Sequence, residues 1–205
     1  MSINQCLDEI QSSYGLWIVR RAYFRGNTVS KISLKWIAVL SAAAVAAATP
    51  PATAQMTSNN ALAGARALSF LQPALSGPVT AAIIYRPGDA ASEAEAQAIE
   101  RALEGGLTVG PFTLKPRKVA AGALAGLAGA KVAFVTRDAS ERSVASAAAQ
   151  RSIVTISSDP DCARQGLCVL SISPGSKVQI VVSKAACNAA KVKFGAAFLM
   201  LVKEI

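Results

Sequence analysis

The chain has 205 residues and a formal net charge of +9, from 21 Lys and Arg against 12 Asp and Glu, and it contains no histidine. The missing histidine excludes Ser-His-Asp and Cys-His nucleophilic arrangements and removes the commonest metal ligand. The charge is scattered: its densest cluster, Lys115-Pro116-Arg117-Lys118, has no interleaved aromatics for bases to stack on, so a solvated face is expected and nucleic-acid binding is not.

Residues 29–54 read as a secretory signal. Lys31 and Lys35 supply a positive start, Trp36 to Ala48 an uncharged apolar run of 13 residues, and Ala52-Thr53-Ala54 a small-x-small cleavage site. A membrane span needs about 20 apolar residues, and Pro50-Pro51 ends this run sooner. Residues 1–28, which include Cys6, Asp8 and Glu9, are unlike the head of a signal peptide, so translation is expected to start near Val29 or Ser30. Periplasmic export is expected, with no span after processing. The mature domain, 55–205, carries 16 Lys and Arg against 10 Asp and Glu and is long enough to bury one core.

Within 55–205 the apolar spacing of Leu62, Ala65, Leu68 and Leu71 predicts a helix from Thr57 to Leu75, capped by Ser58 or Asn59. Val79 to Tyr85 reads as a buried strand. Ser92 to Glu104 reads as a helix with a capping box, Ser92 with Glu95, a buried stripe of Ala96, Ile99 and Leu103, and its acids opposite. Phe112 to Val119 is expected to be an edge strand because Pro116 interrupts it. Ala120 to Ala128 follows as a short helix and Lys131 to Thr136 as a strand. SERSVASAAAQ, capped by Asp138 or Ser140, is the next helix, and Ser152 to Ile156 the next strand. Cys168 to Ile172 and Val178 to Val182 form a hairpin through Pro174-Gly175, and a helix runs from Lys184 to the end.

This alternation implies an α/β fold: a single three-layer sandwich with a mostly parallel sheet, a C-terminal antiparallel hairpin and a terminal helix. Its glycine-rich pieces, GGLTVGP and AGALAGLAGA, match neither GxxxxGK[ST] nor GxGxxG, so they are read as packing elements and no nucleotide cofactor is expected. An open parallel sheet has a crevice at the carboxyl ends of its strands. The sequence places Arg86, Arg137, Ser158 and Asp159 there. The two arginines offer forked donors to an anion or partner; the alternative is that they are solvated loop residues.

Cys162 and Cys168 enclose five residues, including Gly166. That is slack enough for the roughly 5.5 Å between α-carbons of a disulfide, and an oxidising compartment preserves such bonds. The expected bridge removes modest chain entropy, roughly 2 kcal/mol, and holds the entry to the hairpin in register. Because the loop reads as exposed, a redox-sensing bridge stays open as an alternative. Cys187, among alanines, reads as a small buried packing residue. A metal centre lacks partners for its cysteines, and no spacing pairs a nucleophile with a base, so neither metal nor enzymatic function is expected.

The segment from Ser152 to Ile205 resembles the YfiR-type periplasmic regulators. It has a strand ending in a Ser/Asp turn, an acidic loop with a glycine before the hairpin, the apolar pair CVLSI and KVQIVVS, and a helix starting near Lys184-Ala185-Ala186. The order before it, a leading helix, VTAAIIYRPGD, a short helix and KVAFVTRDASE, is similar to that family too. The leading helix has Phe70 as its only aromatic, and the second cysteine pair of some members is missing. The resemblance implies an exported, non-catalytic protein. Such regulators engage the periplasmic domain of an inner-membrane diguanylate cyclase, often as homodimers, and Cys162–Cys168 would be the stabilising bridge. The competing reading is a single-lobe solute-binding module related to ABC-transporter binding proteins, which share the βα alternation but normally close a second lobe over the ligand.

Overall fold

The computed structural model describes residues 56–173 and 178–205. The leader at 1–28 with Cys6, the secretory segment at 29–54 and the Pro174-Gly175 turn lie outside the described residues. The elements are α1 (Ser58–Ala67), β1 (Leu71–Gln72), β2 (Gly77–Tyr85), α2 (Ala90–Ala102), β3 (Leu107–Val109), β4 (Phe112–Ala120), β5 (Ala130–Val135), α3 (Arg142–Gln150), β6 (Val154–Ser157), α4 (Pro160–Arg164), β7 (Leu170–Ser173), β8 (Gln179–Val182), α5 (Lys184–Ala190), β9 (Lys193–Phe194), α6 (Ala196–Leu199) and β10 (Lys203–Glu204).

Eight strands form one sheet in the order β10-β8-β7-β6-β5-β2-β4-β3. The five strands from β4 to β7 are mutually parallel, and β7 and β8 form the antiparallel hairpin, with Leu170 opposite Val182 and Ser173 opposite Gln179. Consecutive side chains of β2 face opposite ways and both faces are covered, as a doubly wound parallel sheet requires. Ala81 and Ile83 join Phe134, Ile156 and Ile99 in one core, while Ala82 and Ile84 join Val135, Leu127, Val144 and Ile153 in the other. Each fully buried isoleucine contributes roughly 1.5–3 kcal/mol of transfer free energy. The architecture is the three-layer α/β sandwich read from the sequence.

Local chemistry sets the boundaries. Thr57, one residue before the expected caps, accepts the Asn60 amide at 3.3 Å through Oγ1. α1 stops at Ala67, well short of Leu75, because Leu68–Phe70 forms a 3-10 turn and Leu71 enters β1. Gly64 lets α1 lie close on the sheet: a Cβ there would sit 2.9 Å from Ile172 Cδ1. α2 begins at Ala90, capped by Asp89, which accepts the Ser92 amide at 2.9 Å; Ser92 and Glu95 are not a capping box. α3 follows Glu141 with no side-chain cap, so neither Asp138 nor Ser140 serves. The expected 120–128 helix is a 3-10 turn at Leu124–Leu127, and its Gly126 packs against Val119. Pro116 lies beyond the last β3 pairing at Leu114, so its missing N–H falls on the free side of β4.

The C-terminal segment departs most from expectation. α5 ends at Ala190, and Lys191 turns left-handed with φ 55°. Phe194 then pairs with Leu71 in the small β1–β9 ribbon, and β10 adds in parallel to β8. Phe194 and Phe198, four apart, are both buried, but a strand delivers the first and the single turn α6 the second. The Lys115-Arg117-Lys118 cluster is also not simply solvated. Arg117 donates to the carbonyls of Gly126 and Ala128 at 2.8 and 2.7 Å, and Lys118 pairs with Glu100 at 2.7 Å.

Candidate functional site

The parallel strands run in the spatial order β4-β2-β5-β6-β7. The chain therefore moves one way from β2 to β4 and the other way from β2 to β5, which puts the reversal point, where such sheets hold ligands, between the carboxyl ends of β2 and β5. Arg86 leaves β2 there, Thr136 and Arg137 leave β5, and Ser158 and Asp159 leave β6. All four residues singled out from the sequence thus lie at the same end of the sheet, on three adjacent strands.

What joins them comes from α2. Glu95 is only 2% exposed. Its Oε1 accepts the Met56 amide at 2.8 Å and the Ser158 hydroxyl at 2.6 Å, and its Oε2 accepts the Arg137 amide at 3.0 Å. One turn earlier, Ser92 Oγ accepts the Arg86 amide at 2.8 Å and shares a hydrogen bond with Thr136 Oγ1 at 2.7 Å. A buried carboxylate is costly unless it is fully hydrogen-bonded, and charge-assisted bonds are about twice as strong as neutral ones. Ser92 and Glu95 therefore clamp three strand ends and the Met56 backbone onto one helix.

The sequence reading missed Ser92, Glu95 and Thr136. The signal was present in the spacing: positions 92, 95, 96, 99 and 103 share one helical stripe, so Glu95 belongs to the buried face and not to the acids opposite.

The clamp and its surroundings occupy most of the four expected rim groups. The Arg86 guanidinium pairs with the Glu141 carboxylate, each side chain 48% exposed. Ser158 donates to Glu95. Asp159 caps α4 by accepting the Asp161 amide at 3.0 Å. Only the Arg137 side chain has no hydrogen-bond or ion-pair partner among the described residues. Beside the rim a cavity of about 230 Å³ is lined by Tyr85, Glu93, Ala96, Gln97 and Lys118.

The bridge Cys162–Cys168 is formed, with α-carbons 5.4 Å apart. Its loop is exposed at Asp161, Arg164 and Gln165 as expected, but the bridge itself is not: Cys162 and Cys168 are buried in a small cluster with Ala163, and Leu167 and Val181 pack against it. The reason is that Pro160–Arg164 coils into α4, and Gly166 (φ +70°) reverses the chain so that the Leu167 amide reaches the Cys162 carbonyl at 2.9 Å. Cys187 is free and half-buried; burial first, and then the Glu204 charge, push its thiol up to about 11.

No group of three His, Cys, Asp or Glu able to hold a metal ion occurs among the described residues, and none of their helices is long and apolar enough to cross a membrane.

Comparison with known proteins adds a likeness of fold. No family model matches the chain, and no curated protein does. Among solved structures it is similar to a conserved domain protein from Vibrio cholerae O1 biovar El Tor strain N16961, with a TM-score of 0.53 at 10% identity, over 73% of this chain and 60% of that one. It is also similar to an ABC domain in complex with L-Trp from Streptococcus pneumoniae, with a TM-score of 0.50 at 12% identity, over 67% of this chain and 57% of that one. The matched region therefore spans about three-fifths of the length of each neighbour, and what is shared is the layered α/β fold.

Proposed function

We propose that this chain is an exported, non-catalytic regulator of the YfiR type, acting by contact with the periplasmic domain of an inner-membrane signalling protein such as a diguanylate cyclase. The observation that carries this reading is a contrast between the crevice and the C-terminal turn. Most of the crevice groups are consumed internally, Ser158 by Glu95, Arg86 by Glu141 and Asp159 as the cap of α4, which leaves the Arg137 side chain alone of the four. The large apolar side chains most open to solvent among the described residues, Met200 at 86% and Leu201 at 80%, follow α6 directly. Phe70, itself 42% exposed, stacks its ring at 5.0 Å on Phe198, two residues before Met200. Large apolar side chains held in solvent next to an aromatic stack along the chain are the kind of anchor that protein interfaces bury. Capture from inner-membrane fractions tests this. The native chain should retain a membrane signalling protein, and Met200→Glu with Leu201→Glu should lose at least tenfold of it while the fold, read by circular dichroism, is kept. Equal capture by both would reject the surface.

A second reading is a solute-binding module. It draws on the Arg137 side chain, without a partner among the described residues, on the cavity lined by Tyr85 at the end of β2, and on the fold likeness to a domain solved with L-Trp. Its distinguishing result would be calorimetric binding of a small anion or amino acid that Arg137→Ala abolishes.

A further inference from the structure

A second cavity, of about 350 Å³, lies on the C-terminal part of the fold, among α5, β9, α6 and β10. Its volume falls in the range of small-molecule sites. Val182, Val192, Phe194 and Leu199 give it an apolar lining, and Lys193 and Asn188 bring polar groups to it. Two further lining groups bear on its charge. Lys184 and Glu204 pair with each other at 3.5 Å and offset one another. Cys187, with its thiol pushed up to about 11, is neutral near pH 7 and adds to the apolar wall. Lys193 has no ion-pair partner among the described residues, so the cavity carries one uncompensated positive charge beside an apolar lining.

From this pairing we infer that the cavity binds a monoanionic amphiphile, specifically an unbranched aliphatic carboxylate. Its chain lies on Val182, Val192, Phe194 and Leu199, and its head group accepts from the Lys193 ammonium and the Asn188 amide. With Lys184 already paired to Glu204, Lys193 is left as one cation in the lining, which matches a single negative charge. The inference concerns a different face from the carboxyl-end crevice and holds whether or not the chain engages a membrane partner.

Cys187 is a built-in reporter, since it lines the cavity and is the free thiol of the described residues. The test is the rate of maleimide modification at Cys187 in the full chain, read by peptide mass spectrometry at pH 9. Hexanoate, octanoate and decanoate would be titrated below the concentrations at which they form micelles. Saturable protection is expected, tightening about three- to fourfold for each added methylene. Lys193→Glu, a change at an exposed position that leaves the core intact, should weaken decanoate at least tenfold, and decanol should protect at least tenfold more weakly than decanoate. Absence of protection, protection independent of chain length, or equal protection in the Lys193→Glu variant would each overturn the inference.

Discussion

At the scale of single residues, Glu95 has the largest consequences. It satisfies two backbone amides and one hydroxyl while almost wholly removed from water. Glu95→Gln keeps the volume but turns an NH2 toward a donor, leaving a buried polar group without a partner. The expected loss is about 2–3 kcal/mol in urea unfolding. Glu93→Gln, at an exposed acceptor of the Gly88 amide, should cost under about 0.5 kcal/mol. Similar losses in the two variants would remove the clamp from the account. The Cys187 thiol gives a prediction in pH. Its proton is held more tightly in the folded chain than at the ordinary value of 9.0. The stability this gives is complete below pH 9 and is lost as the pH rises through about 11. A pH profile of alkylation should place the native thiol near 11, and Glu204→Gln should move it down by less than half of the shift, since burial is the larger cause. A native value near 9 would contradict this.

Between elements, sequence periodicity reached furthest where burial alone decides structure. The parallel strands are short apolar runs between turn residues, and their register follows from two covered faces, so β2, β5 and β6 were legible to within about two residues. The C-terminal segment was not, because Phe194, Phe198 and Leu201 keep helical spacing although the chain breaks at Lys191 to pair β9 with β1. Pairing between residues more than a hundred positions apart leaves no local trace. Lys191 makes the difference measurable: glycine is favoured in the left-handed conformation seen there. Lys191→Gly should therefore be neutral or stabilise by about 0.5–1 kcal/mol. Were the segment one continuous helix, the same change would cost about 1 kcal/mol. The disulfide was legible as a pairing but not as a buried one, since α4 coils only because Asp159 caps it and Pro160 occupies its first turn. Mass analysis of native protein should find Cys162 linked to Cys168 and Cys187 free. Replacing both bridged cysteines with alanine should cost about 2 kcal/mol and speed amide exchange in α4 first.

For the whole molecule, sheet order positions the groups of the carboxyl-end crevice. The reversal between β2 and β5 gathers the four expected rim residues at one end, so that much of the candidate site could be read from strand ends alone. The buried stripe of α2 also held the signal that Ser92 and Glu95 face the sheet, but not which strand ends they would tie, because that depends on where α2 lies along the sheet. The opposite contribution comes from the C-terminal turn, which leaves Met200 and Leu201 in solvent beside the Phe70–Phe198 stack. Intracellular cyclic-di-GMP after deletion of the gene tests the regulatory account most directly. The account expects the level to rise, to return when the native chain is restored, and to stay high with the Met200→Glu, Leu201→Glu chain. An unchanged level on deletion would contradict it.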